Sequence, residues 1–173
     1  MDKYYNILSS DYGDIAIIAS NDGLIEVAFQ QGKAAACLDN CTLVSNTTNF
    51  SSGSNTGAEF VAIAKQQLEQ YFAGERRVFD LPLAQQGTNF QKTVWHALTT
   101  IEMGQTKSYG DLANIINNPK AVRAVGTANG SNKIAIIVPC HRVIGKDKKL
   151  TGYAGGIGIK AKLLMHEKAY FKV

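Results

Sequence analysis

The character of the chain changes near residue 85, and this change limits the folds that it can adopt. Before that point, strand-like apolar runs precede one helical stretch, whereas short helical stretches dominate after it. Residues 1–85 hold 5 Lys/Arg against 10 Asp/Glu, a net charge of −5, and residues 86–173 hold 13 against 4, a net charge of +9. The 173 residues are enough for two small domains, and we place their boundary between residues 85 and 86.

Composition and charge exclude several classes of protein. Hydrophobic residues make up 45% and charged residues 18% of the chain, as in globular proteins. No apolar run is long enough for a membrane span, and the start shows no signal peptide. The 3 cysteines argue against a disulfide scaffold and for a reducing compartment, the cytoplasm, or the nucleus of a eukaryote. The basic second half predicts a polyanionic partner such as nucleic acid, with a merely polarised protein as the alternative.

The first domain is predicted to be a small sheet with one helix. Three strands are expected, joined in part by a hairpin turn at Asn21–Gly23: Tyr4–Leu8, Ile15–Ala19 and Leu24–Phe29. Residues 45–57 form a polar loop. Apolar residues then recur at helical spacing from Phe60 to Phe72, and Gly74 ends this helix. Pro82 makes the stretch from Val78 to Leu83 an edge strand or a connection.

The second domain is predicted to contain a helix-turn-helix. A capping box at Thr88 begins a helix that runs to Gly104, and a further helix begins at Ser108. Asn118 and Pro119 fit the cap and first position of a third helix, which stops near Gly130. The second helix of such a pair can lie in a DNA groove, although the motif also occurs as plain structure.

Cys140 is the candidate nucleophile. The apolar run Ile134–Val138 predicts a buried extended segment, and Cys140 follows it directly after Pro139. The neighbours His141 and Arg142 are cationic, and we expect them to lower the pKa of the thiol toward neutrality. A thiolate is a strong nucleophile. A buried cysteine that only packs is the alternative.

Three motifs carry a family resemblance: Pro-Cys-His-Arg-Val-Ile from Pro139, Gly-Tyr-Ala-Gly-Gly from Gly152, and Leu-Leu-Met-His-Glu from Leu163. Together they resemble the methylated-DNA–protein-cysteine methyltransferases, the O6-alkylguanine-DNA alkyltransferases, from about Phe90 to Glu167. The resemblance implies an α/β chain in which a domain of ribonuclease-H-like layout precedes a mostly helical, winged-helix-like domain. It implies a DNA repair protein that flips O6-alkylguanine out of the duplex and transfers the alkyl group irreversibly to its own cysteine, once per molecule.

The resemblance also implies roles for single residues in the chemistry. Cys140 is the alkyl acceptor, and His141 shares a proton network with Glu167 through a water. Tyr109 contacts the target base and helps to protonate it. No cofactor or metal is implied, because the displacement needs only positioning and proton transfer.

Further residues match positions at which the family contacts DNA or lines its base pocket. Arg123 matches the arginine that enters the duplex where the base leaves. Gly110, Asn118 and Lys146 match positions at which the family contacts the DNA backbone. The expected pocket residues are Asn132, Val143, Tyr153, Ala154 and Gly155. The implied partner is double-stranded DNA bearing alkylated guanine, bound by a monomer away from any membrane.

Two departures and two alternative functions accompany the resemblance. The family often has Arg and then Asn-Pro where this chain reads Gly130-Ser131-Asn132-Lys133, and the lost cation lowers the expected DNA affinity. Cys37 and Cys41 have no nearby histidine, so we expect packing thiols rather than the zinc site of some relatives. The alternatives are a non-catalytic binding module and a hydrolase that uses Cys140 with His141 and Glu167. We expect His96 and His166 to be surface or half-buried residues rather than catalytic ones, and Trp95 to pack in the core.

Overall fold

The computed structural model describes residues 1–31, 34–46 and 55–173. The chain divides into two compact units, residues 1–86 and residues 87–173. Most of the predicted polar loop, residues 47–54, lies outside the described residues. None of the described helices is long and apolar enough to cross a lipid bilayer.

Unit 1 is built on a sheet whose strands are β1 (Lys3–Ser10), β2 (Gly13–Ser20), β3 (Gly23–Phe29) and β4 (Cys41–Leu43). Their order is β3-β2-β1-β4, with antiparallel neighbours except for the parallel pair of β1 and β4. The three long strands confirm the sequence prediction. The short strand β4 was not predicted, because a three-residue strand carries too little alternation to be recognised.

One helix covers this sheet. Helix α1 (Gly57–Phe72) begins at the N-cap Thr56 and packs on β1, β2 and β3. Its apolar stripe is buried against the sheet, as the helical spacing predicted. The stretch from Val78 to Leu83 is a connection along β3: Leu24 N donates to Pro82 O at 2.8 Å and Ala84 N donates to Leu24 O at 2.7 Å. Gly23 suits this close approach, since a Cβ atom there would lie 2.6 Å from Pro82 O.

Unit 2 contains three helices before the cysteine motif: α2 (Asn89–Leu98), α3 (Tyr109–Ile115) and α4 (Val122–Gly130). The capping boxes at Thr88 and Ser108 are both present. Helices α3 and α4 pack together as the predicted helix-turn-helix, and α2 packs on α4. Trp95 of α2 is buried and its Nε1 donates to Ala128 O at 2.8 Å, which confirms its place in the core.

Two predicted helix boundaries were wrong. Helix α2 ends at Leu98 rather than near Gly104, since turns follow Leu98 even though Ile101 remains buried. Helix α4 begins at Val122, with Ala121 as its N-cap and no side-chain cap. Asn118 O instead accepts from Ala121 N at 3.0 Å in a turn. The cap-like pattern of Asn118 and Pro119 therefore serves a turn and not a helix start.

The segment before Cys140 is buried but is not the extended strand that was predicted. Ile136 has φ 69°, which a β-branched residue rarely adopts, and Val138 N turns back to Ile134 O at 3.0 Å. An apolar run cannot by itself distinguish a buried strand from buried turns. This reversal leads directly into a 3₁₀ helix, Cys140–Arg142.

The remaining elements of unit 2 surround that 3₁₀ helix. Strands β5 (Lys107–Ser108) and β6 (Val143–Ile144) form a parallel pair. Helix α5 (Ile157–His166) contacts the 3₁₀ helix. Glu167 is the C-cap of this helix.

Candidate active site

Cys140 opens the 3₁₀ helix and is 6% exposed. The side-chain amide of Asn132 holds its sulfur: Nδ2 lies 3.1 Å from Cys140 Sγ, 2.9 Å from Val138 O and 3.2 Å from Ile134 O. Asn132 Oδ1 also accepts from Ile134 N at 3.0 Å. One buried amide thus fixes both the turn that precedes the cysteine and the position of the sulfur.

The resting form of Cys140 differs from the sequence expectation. Burial raises the pKa of the Cys140 thiol above its ordinary value. The hydrogen bond from Asn132, the charge of Lys160 and the backbone N–H groups of Cys140 and His141 oppose this rise without cancelling it. The prediction that His141 and Arg142 bring this pKa toward neutrality was therefore wrong. A base must remove the proton when the sulfur reacts.

Glu167 lies at the centre of a buried charged cluster. Its Oε1 lies 2.8 Å from His141 Nε2, and its two oxygens accept from Arg142 Nε at 2.9 Å and Nη2 at 3.0 Å. Arg142 Nη1 also donates to Ile101 O. Burial alone would raise the pKa of Glu167, but the bonds and charge from His141 and Arg142 outweigh burial and lower it. Glu167 is therefore an ionised carboxylate paired with a permanent cation.

His141 is neutral in this setting. Burial lowers its pKa, and the cations Arg142 and Lys160 lower it further, while the bond and charge of Glu167 act in the opposite direction. A neutral imidazole that donates from Nε2 to Glu167 has its lone pair on Nδ1. Nδ1 is buried and has no hydrogen-bond partner among the described residues. His141 can accept a proton there while Glu167 stabilises the imidazolium that results.

Tyr109 reaches a second polar cluster. Its hydroxyl lies 2.6 Å from Thr151 Oγ1. The buried ammonium of Lys160 donates to Val143 O at 2.6 Å and to Thr151 O and Oγ1, both at 3.3 Å. Burial lowers the pKa of Lys160 to about 8, and the negative charge of an ionised Cys140 acts against this shift. The first position of α3, the start of β6 and the core-facing side of α5 meet at these atoms.

Sequence reasoning missed the roles of three of these residues, Arg142, Thr151 and Lys160. Arg142 is within the cysteine motif, but its pairing with Glu167 depends on a contact across 25 positions. The burial of Lys160 could have been predicted from the sequence. It shares a helical stripe of spacing i, i+3, i+4 and i+7 with Leu163, Leu164 and Glu167, all of them buried. A lysine on an apolar stripe is rarely buried without a function or a partner.

The expected pocket residues divide by exposure. Val143 and Asn132 are buried, Tyr153 and Gly155 are half-buried, and Ala154 is exposed. The Tyr153 hydroxyl is buried with no hydrogen-bond partner in the described part of the chain. Burial raises the pKa of Tyr153 well above its ordinary value, and the negative charges of Cys140 and Glu167 raise it further. Tyr153 therefore belongs to the surroundings of the sulfur.

The expected DNA contacts lie at the surface of unit 2. Arg123 is exposed in the first turn of α4, and Gly110 is half-buried in the first turn of α3. Asn118 is exposed in the turn between these helices, and Lys146 is exposed just after β6. Outside the motif, the expectations of a half-buried His166 and a surface His96 are confirmed.

Cys37 and Cys41 of unit 1 do not pack in a core. Cys37 is exposed and Cys41 is half-buried, so the expectation of packing thiols was wrong. Their sulfurs contact Asp39, at 3.4 Å from its Oδ2 and 3.8 Å from its carbonyl oxygen. They differ sharply in exposure from Cys140 and provide internal controls for its reactivity.

Both units match models of one protein family. Residues 3–85 match the ribonuclease-like domain of 6-O-methylguanine DNA methyltransferase, and residues 89–169 match its DNA binding domain. The methylated-DNA–protein-cysteine methyltransferase of Methanosarcina acetivorans is 49% identical over 164 residues, which are 95% of this chain and 97% of the relative. The constitutive enzyme of Bacillus subtilis is 44% identical over 171 residues, 98% of each chain.

Solved structures match the fold as well. Mycobacterium tuberculosis OGT in complex with DNA superimposes with a TM-score of 0.81 at 41% identity, covering 95% of this chain and 92% of that one. The O6-methylguanine methyltransferase of the same organism gives a TM-score of 0.79 at 41% identity, covering 96% and 93%. With both units, the cysteine motif and these full-length relatives in agreement, the chain belongs to the 6-O-methylguanine DNA methyltransferase family.

Proposed function

We propose that this chain repairs DNA by moving the alkyl group of O6-alkylguanine, the methyl group above all, to Cys140 Sγ in one irreversible step. The observation that carries the proposal is the buried thiol of Cys140, held 3.1 Å from Asn132 Nδ2. The next residue, His141, is a neutral base whose Nδ1 has no hydrogen-bond partner among the described residues. A thiol held in place and a base to take its proton are what an in-line displacement at carbon requires.

The proton and electron pairs balance in this scheme. In this scheme a water carries the thiol proton to His141 Nδ1, and Glu167 stabilises the imidazolium that forms. The thiolate attacks the alkyl carbon, the carbon–oxygen bond breaks, and its electron pair stays on the guanine. Tyr109 donates a proton to the leaving base. The proton on His141 then returns through solvent to Tyr109, and Cys140 keeps a thioether.

The duplex is the proposed partner. The net charge of +9 on residues 86–173 supports phosphate binding, and the exposed Arg123 on α4 supports filling of the gap that a flipped base leaves. Asn118, Lys146 and the backbone at Gly110 supply further contacts in this scheme. We propose that a single copy of the chain acts in the compartment that holds the DNA, the cytoplasm or a nucleus.

Mass spectrometry of the cysteine peptides tests this function. After mixing with a duplex that contains one O6-methylguanine, we expect one methyl group on the Cys140 peptide and none on the Cys37 or Cys41 peptides. Cys140→Ser should take up no methyl group and should retain the fold, since only the sulfur changes. A folded wild-type protein that stays unlabelled, or that hydrolyses esters with turnover, would contradict the proposal and favour the binding module or the hydrolase.

A further inference from the structure

Thr151 links two groups that the proposed function uses separately. Its hydroxyl lies 2.6 Å from the Tyr109 hydroxyl and 3.3 Å from Lys160 Nζ. It lies in the irregular segment between β6 and α5. A hydroxyl has one hydrogen to donate and two lone pairs, so Thr151 can accept from Lys160 and still donate to Tyr109.

The partners of Lys160 fix the first direction. A charged ammonium has three hydrogens and no lone pair, and Lys160 Nζ has three acceptors in reach: Val143 O at 2.6 Å, and Thr151 O and Oγ1 at 3.3 Å. All three hydrogens are therefore assigned. Thr151 Oγ1 accepts from Lys160, and its own hydrogen is available for its nearest partner, the Tyr109 hydroxyl at 2.6 Å.

We propose that Thr151 is a positioning residue that donates to Tyr109 Oη and thereby turns the Tyr109 hydrogen toward the flipped base. The proposal rests on the proposed function, in which Tyr109 is the proton donor to the leaving guanine. Without a donor at Thr151, Tyr109 Oη would have no fixed orientation, and its hydrogen would point at the base only part of the time.

The direction of the hydrogen bond between Thr151 and Tyr109 reverses when Lys160 loses its proton. A neutral amine keeps two hydrogens, for the two carbonyls, and gains one lone pair. Carbonyl groups cannot donate to that lone pair, whereas the Thr151 hydroxyl can. Thr151 then donates to Lys160 and accepts from Tyr109, whose hydrogen turns away from the base.

The pH at which this happens follows from the surroundings of Lys160. Burial lowers the pKa of Lys160 to about 8. The ionisable groups that face it are Cys140 and His141 on the 3₁₀ helix, and Tyr109 at the start of α3 through Thr151. An ionised Cys140 raises this pKa, so the reversal is expected at or somewhat above pH 8 in the reacting protein.

Two variants of Thr151 test the proposal. Thr151→Val keeps the shape and removes the hydroxyl, and Thr151→Ser keeps the hydroxyl. Single-turnover methyl transfer to Cys140 is measured at saturating duplex, across the pH range that brackets the Lys160 pKa of about 8. Below this pKa we expect Thr151→Val to transfer about fivefold to tenfold more slowly than wild type, the worth of one hydrogen bond, and Thr151→Ser to approach wild type.

The ratio of wild-type to Thr151→Val rates is the decisive quantity. Cys140 ionises in both proteins, so its effect on the two rates cancels in the ratio. The ratio should therefore fall toward one as the pH rises past the pKa of Lys160. The dissociation constant for unmodified duplex should be the same for both proteins. Equal rates below that pKa, or a rate ratio that does not change with pH, overturn the proposal.

A second measurement keeps the test independent of whether Thr151→Val folds. The ratio of wild-type to Tyr109→Phe rates should decline over the same pH range, since both report the Tyr109 hydrogen. In a Tyr109→Phe background, Thr151→Val should have no further effect, and an undiminished effect there overturns the proposal. Failure of the proposed function itself would look different, because the wild type would then gain no methyl group on Cys140 at any pH.

Discussion

Unit 2 carries two sets of polar residues that differ in how the fold holds them. The first set surrounds the cysteine and is buried: Asn132, His141, Arg142 and Glu167. The second set is exposed on the surface around the helix-turn-helix: Asn118, Arg123 and Lys146. In the buried set each charge has a charged or hydrogen-bonding partner within 3.0 Å, whereas exposed residues are solvated.

The buried set is expected to matter both for the reaction and for the stability of unit 2. A buried charge that loses its partner costs several kcal/mol, so the chemistry around Cys140 cannot be altered without weakening unit 2. Exposed side chains contribute little to stability, so the proposed DNA surface can change almost independently of the fold. The comparison predicts opposite outcomes for matched substitutions in the two sets.

The largest expected effect is from Arg142→Leu. It removes the cation that binds both Glu167 oxygens and leaves a buried carboxylate without its main partner. We expect the free energy of unfolding to fall by about 3–5 kcal/mol. Urea titration followed by circular dichroism measures this change.

The matched control is Arg123→Leu, the same substitution at an exposed position of α4. It should change the free energy of unfolding by no more than about 0.5 kcal/mol, while weakening methyl transfer from duplex DNA. If the two variants lose equal stability, the division into buried and exposed sets does not hold.

Acid should weaken the buried set in two stages. The pKa of His141 and the pKa of Glu167 are both lowered in the folded chain, so the unfolded chain binds more protons as the pH falls. Stability is therefore full above the unfolded values and declines below about pH 6.5 for the histidine and below about pH 4.3 for the glutamate. Urea titrations in each window measure the decline, and Glu167→Gln should flatten the lower one. A free energy of unfolding that is constant through both windows would refute this.

Asn132→Ala should have an intermediate effect on stability and a specific effect on the thiol. It removes the buried bonds to Val138 O, Ile134 O and Ile134 N, for a loss of about 2 kcal/mol. It also removes a bond that lowers the pKa of Cys140, so the pH at which iodoacetamide modifies the Cys140 peptide should rise. Lys133→Ala, at the exposed neighbour, is the control, and an unchanged pH profile in Asn132→Ala would contradict the assigned contact.

Local signals account for what the sequence predicted well. The capping box at Thr88 and the helix start at Ser108 each depend on about four consecutive residues, and both are present. The alternating strands of unit 1 were visible for the same reason. Cys140 was found through its motif. The resemblance also named His141 and Glu167 but joined them through a water, whereas His141 Nε2 contacts Glu167 Oε1 directly at 2.8 Å.

What the sequence did not predict depends on contacts between distant segments. The pairing of Arg142 with Glu167 and the bond between Thr151 and Tyr109 span 25 and 42 positions. The raised pKa of Cys140 comes from burial. The adjacent His141 and Arg142 suggested a lowered pKa, but His141 is neutral and Arg142 is paired with Glu167. The turn at Ile136 is different, because the Asn132 side chain that braces it bonds to residues only two and six positions away. An apolar run alone does not reveal such a turn.

The smallest expected effect is a gain, from Gly130→Arg at the end of α4. A Cβ atom there would meet nothing within 4 Å, so arginine fits at the position near which the family often carries one. Replacing an exposed helical glycine should raise the free energy of unfolding by about 0.5–1 kcal/mol. The added cation should steepen the dependence of log affinity on log salt by about 0.9 for duplex DNA if it binds one phosphate. Gly130→Ala separates the two effects, because it should gain the stability and leave the salt dependence unchanged. If Gly130→Arg and Gly130→Ala bind DNA with the same salt dependence, the end of α4 does not face the phosphates and the proposed surface must be redrawn around Arg123.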